Sequence, residues 1–145
     1  MKPLFCLCIL LMGMSAAQAQ DSAAFASGPL DCYNATPNTL DQSSSVRLCE
    51  GATSTAPAEC YKATPSGLDA DRSVQLCQYA ESTAPAECYE ATPGNLDQDL
   101  SVTLCQGARS NAPVECYNAT PANLDQASSV DLCRGAVDAS PANLL

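Results

Sequence analysis

The chain carries ten cysteines and no histidine. Eight of the cysteines recur with fixed spacing: Cys32, Cys49, Cys60, Cys77, Cys88, Cys105, Cys116 and Cys133 are separated alternately by 17 and 11 residues. Thiols at such positions can form disulfides, bind a metal or carry redox chemistry. There is no C-x-x-C pair, and without histidine the commonest zinc ligand is missing. The spacing therefore points to disulfides, with no metal site and no cofactor. Histidine-dependent nucleophilic catalysis is excluded on the same ground.

Two pairings respect the repeat. Pairing within units joins Cys32–Cys49, Cys60–Cys77, Cys88–Cys105 and Cys116–Cys133. Pairing between units joins Cys49–Cys60, Cys77–Cys88 and Cys105–Cys116, and strands Cys32 and Cys133. The second would suit an antiparallel helix pair, because Cys49 and Cys60 lie symmetrically about residues 53–55. The first is preferred because it leaves no odd thiol.

The elements that must position these cysteines follow from the period. Four 28-residue units, 29–56, 57–84, 85–112 and 113–140, share the pattern P-x-(D/E)-C-Y-x-A-T-P-x-x-L-D-x-x-x-S-V-x-L-C-x-(G/Y)-A. A period of this length is the mark of a repeat array. Residues 141–145 restart the pattern, with Leu144 in the cysteine slot, and are expected to act as a half-unit cap. Residues 20–28 stand outside the pattern and are expected to be irregular.

Within a unit two short helices are predicted. Helix A, Pro57 to Ala63 in the second unit, is capped by Ser54 or Thr55. It stops at Thr64 because Pro65 disfavours helical geometry in the preceding residue. Helix B is expected from Leu68 to about Ala80, with Thr39, Gly67, Asn95 and Asn123 as N-caps. Asp41, Asp69, Asp97 and Asp125 then sit in the first turn, complementing the helix dipole. Gln42, Gln98 and Gln126 would complete a capping box. Ser45, Leu48, Cys49 and Ala52 form one stripe of helix B, with Leu40 and Val46 at its edges. Gly51, Gly107 and Gly135 suit helix ends, and Tyr79 takes the glycine's place in the second unit. The predicted fold is all-α: a small solenoid of disulfide-stapled helical hairpins.

The N-terminus reads as a secretory signal peptide over residues 1–19. A basic opening at Lys2 precedes an apolar run from Leu4 to Met14 and a small-x-small site at Ala17-Gln18-Ala19. Cys6 and Cys8 leave with it. The remaining chain holds 16 acidic and five basic residues, a net charge near −11. That balance argues against nucleic acid and against anionic membrane surfaces. No later segment is apolar enough for membrane insertion of the mature chain.

Function is expected to be exported and non-enzymatic, in the periplasm or outside the cell. The positions that vary between units form the candidate interaction surface for a protein or peptide: Asn34, Lys62, Glu90 and Asn118 on helix A, and Arg47, Gln75, Thr103 and Asp131 on helix B. A second reading is a secreted inhibitor, for instance of proteases, presenting Pro-flanked loops such as Ala35-Thr36-Pro37. The recurrent tyrosines Tyr33, Tyr61, Tyr89 and Tyr117 are expected to pack between units.

Overall fold

The computed structural model describes residues 27–138. The signal peptide and the half-unit 141–145 lie outside them. Eight short helices follow one another: α1 (Gly28–Ala35), α2 (Gln42–Cys49), α3 (Ala56–Ala63), α4 (Ala70–Cys77), α5 (Ala84–Glu90), α6 (Gln98–Cys105), α7 (Ala112–Asn118) and α8 (Gln126–Cys133). Among the described residues there is no strand. Each unit is a hairpin of one odd and one even helix. The odd helices stack on one another, α1 on α3 on α5, and the even helices stack likewise, α2 on α4 on α6 on α8. The fold is therefore the tandem, stapled helical array that the sequence predicts.

Helices of seven or eight residues do not persist alone in water. Their ends are fixed by local chemistry that repeats in every unit. The Thr of A-T-P donates its hydroxyl to the tyrosine carbonyl three residues back, at 2.7 Å in all four units. The following proline holds Thr36 and Thr64 extended, with ψ near 146° and 143°. The proline carbonyl then accepts the N–H of the leucine three residues on (Pro37 from Leu40, 3.0 Å; Pro65 from Leu68, 3.0 Å).

That turn moves the start of helix B. The leucines expected to open it lie in the turn instead and are buried there, with Leu40, Leu68 and Leu96 each 7% exposed. The N-caps are Asp41, Asp69, Asp97 and Asp125, not Thr39, Gly67, Asn95 and Asn123. Asp41 accepts from the Ser44 N–H at 3.0 Å and Asp125 from the Ser128 N–H at 2.9 Å. The glutamines consequently stand at the first helical position, where the capping box cannot close. Gln126 instead donates to the Asn95 carbonyl of the preceding unit at 3.2 Å. Helix B also ends earlier than expected, at the cysteine. Gly51, Gly107 and Gly135 follow at φ of 70°, 72° and 80°, and Tyr79 takes the same left-handed conformation at φ 64°.

Helix A begins one residue earlier than predicted, at Ala56, with its proline in the first turn. Ser54 accepts the Ala56 N–H at 3.2 Å, whereas the Thr55 side chain makes no capping bond. Gly28, expected to be irregular, is helical and buried, and opens α1.

The core is a thin ladder of Leu, Val, Ala and Cys side chains running through all four units. Ser45, Ser73, Ser101 and Ser129 are buried among them at 2–3% exposure. No buried side-chain N or O among the described residues lacks a hydrogen-bond partner. These small hydroxyls let neighbouring helices approach closely.

Candidate interaction surface

The staples that hold the surface are Cys32–Cys49, Cys60–Cys77, Cys88–Cys105 and Cys116–Cys133. Each ties helix A to helix B of its own unit at a Cα–Cα distance of 5.5–5.6 Å. Pairing within units is thus the arrangement formed. The alternative pairing of Cys49 with Cys60 is not formed, because Cys49 is bonded to Cys32 and Cys60 to Cys77.

On this scaffold the varying positions of helix A, Asn34, Lys62, Glu90 and Asn118, are all exposed. On helix B, Arg47, Gln75 and Asp131 are exposed and Thr103 is half-buried. Both rows follow the array, and they border different grooves. Asn34 and Glu90 border grooves at the A-T-P end of the hairpins, each floored by a tyrosine and a leucine (Tyr33 with Leu40, Tyr89 with Leu96). Arg47 and Gln75 line a separate hollow with Asp71 and Gln78.

Several of these side chains are engaged. Arg47 reaches Asp71 of the next unit at 2.7 Å, and its carbonyl accepts from Gln78 at 3.1 Å. Lys62 pairs with Glu59 in its own helix at 2.7 Å. Thr103 donates to the Asp99 carbonyl at 2.8 Å. Two further ion pairs cross between units, Arg72 with Asp99 at 2.6 Å and Arg109 with Glu81 at 3.0 Å. All of them are exposed enough to contribute little stability. The three ion pairs that cross between units join successive units of the array.

The perturbed carboxylates have a structural origin. Asp41 lies far below the usual carboxylate range because the Ser43 hydroxyl and the Ser44 N–H both donate to it. Asp69 is lowered by the Arg72 N–H and then by the Arg72 side chain, and Asp125 by the Ser128 N–H and hydroxyl. All three are helix N-caps, and the hydrogen bonds they accept from neighbouring Ser and Arg groups, the Ser43 hydroxyl first at Asp41, account for the shifts. Tyr89 is raised by its burial. The tyrosine row packs half-buried against the core.

The Ala35-Thr36-Pro37 segment is held down rather than presented. All three residues are half-buried, and Thr36 bonds back to Tyr33 through both its N–H and its hydroxyl. Among the described residues no cluster of three or more potential metal ligands occurs, and no helix is long and apolar enough to cross a membrane.

One feature escaped the sequence reading. Leu30, Val46 and Leu132 are 62%, 56% and 67% exposed, although their counterparts in other units are buried. Val46 and Leu132 are identical in type to their buried counterparts, so nothing in the local pattern marks them. The chain matches no known protein family, no curated protein and no solved structure.

Proposed function

We propose that this protein is an exported, non-enzymatic interaction or structural module of the periplasm or the extracellular space. The observation that carries the reading is the division of labour within the unit. Residues identical in every unit are staples, caps or core, whereas the helix A position after the tyrosine is exposed in all four and carries Asn, Lys, Glu and Asn. A rigid array that varies an exposed row of its helices suits recognition of an extended protein or peptide partner. Four buried or half-buried disulfides fit an oxidising compartment.

The test is the paired charge reversal Lys62→Glu with Glu90→Lys. Both residues are exposed, so folding and the disulfide map should stay as in the parent. Site-specific photo-crosslinking from residue 90 in the exporting cell should trap a discrete partner, and the reversal should abolish it. Trapping that survives the reversal unchanged would remove the helix A row as the recognition surface.

A further inference from the structure

The two ends of the array are unfinished halves of the same joint. Inside the chain, each unit buries two sets of residues against its neighbours. Toward the preceding unit it buries the proline and the following residue of helix A and the valine of helix B. Ala58, Ala86 and Val114 are 0%, 1% and 4% exposed, and Val74, Val102 and Val130 are 0–1% exposed. Toward the following unit it buries the leucine before the second cysteine, and Leu48, Leu76 and Leu104 are all 0% exposed. In the first unit Leu30 and Val46 lie open, flanking a mostly apolar groove with Pro29, Tyr33 and Cys49 and with Glu50 at its edge. At the other end Leu132 is open, and Leu124 and Cys116 are more exposed than their counterparts.

We infer that these ends bind each other between copies, so that the first unit of one chain docks on the fourth unit of another in the geometry of the three internal joints. The occupant of each end is a second copy of this chain, and the contact is head-to-tail. Such a contact is heterologous, so each copy offers a free end to the next rather than pairing symmetrically with one partner.

The register of the internal joints shows how the intermolecular one would be lined. The Arg47–Asp71 and Arg72–Asp99 contacts translate to Asp131 and Ser128 facing Ser43 of the next copy, and Glu81–Arg109 translates to Val137 facing Thr53. None of these sets two like charges against each other. The Gln126–Asn95 bond is reproducible, with Gln42 donating to the Asn123 carbonyl. The Gln78–Arg47 bond is not, because Glu50 takes the glutamine's place.

The joint is therefore mainly apolar between two strongly acidic chains, so screening their net repulsion with salt should strengthen it. A first unit supplies both faces of the joint, the helix A residues and the helix B valine. This inference concerns the ends of the array and stands apart from the lateral surface proposed above.

The experiment uses the full chain recovered from an oxidising expression host, with Val46→Asp as a blocked head and Leu132→Asp as a blocked tail. Both side chains are already exposed, so neither change removes internal packing. Sedimentation velocity should show concentration-dependent, salt-enhanced oligomers for the parent and monomers for each variant alone. An equimolar mixture of the two variants should form a dimer and nothing larger, because one intact head and one intact tail remain. A parent that stays monomeric at its highest soluble concentration would overturn the inference, as would variants that still self-associate or a mixture that stays monomeric. Assembly seen only after deletion of residues 139–145 would also overturn it, by showing that the chain's own C-terminal segment occupies the tail.

Discussion

Replacing Cys88 and Cys105 together by alanine tests what holds a unit closed. The bond spans 17 residues, and a loop of that length contributes about 3 kcal/mol by limiting the unfolded chain. Both sulfurs are fully buried, so their loss adds a small packing cost of about 1 kcal/mol. The sum, about 4 kcal/mol, corresponds to a fall of roughly 2 M in the urea midpoint at a typical slope for a small domain.

Position in the array then decides the form of the transition. Stability in a solenoid is a sum of unit and nearest-neighbour terms. Loosening the third unit therefore uncouples the fourth from the first two, and a single transition should broaden or split. The corresponding change in the fourth unit, Cys116 with Cys133, should fray one end and leave the other three units cooperative. Far-UV circular dichroism against urea, with hydrogen exchange resolved by unit, reads both effects. A central variant with an unchanged midpoint would refute the reasoning. So would identical profiles for the central and terminal variants, which would mean that the array does not behave as coupled units.

Three further outcomes follow from particular residues. Tyr79 holds φ 64° where the other units have glycine, so Tyr79→Gly should raise stability by about 1 kcal/mol in urea unfolding; a loss would show that packing of the ring outweighs the backbone cost. Gly28→Ala should destabilise by about 1–3 kcal/mol, because the new Cβ would lie 2.5 Å from the Ala52 carbonyl oxygen and 2.6 Å from the Thr53 backbone. Calorimetric melting of the variant beside the parent checks this. Acid should weaken the fold through the caps: Asp41, Asp69 and Asp125 are lowered from 3.8 in the native state, so their stabilisation is complete above that value and is lost as pH falls below it. A melting temperature that holds or rises from about pH 5 to about pH 2 would count against the capping account.

Much of this protein was legible from residue spacing. The 28-residue period and the even count of recurrent cysteines led to a helical array with one staple per unit, and Pro after Thr fixed where helix A stops. These features are local or periodic, so sequence carries them directly. The start of helix B was misjudged by two residues. Thr39 and its counterparts are acceptable caps on composition, but the proline carbonyl takes the leucine N–H and makes aspartate the first residue free to cap. Helix B also stopped short of its apolar stripe, because the left-handed residues at 51, 79, 107 and 135 turn the chain while Ala52, Ala80 and Ala108 remain in the core.

The exposed ends lie beyond any local pattern. Val46 and Val74 occupy the same slot in the same motif, as do Leu132 and Leu104, and yet one of each pair is buried and the other open. Burial in a stacked array depends on the presence of a neighbouring unit, and that is a property of three-dimensional placement. The repeat sequence specifies the joint; only the stacking shows where a joint is left unfilled.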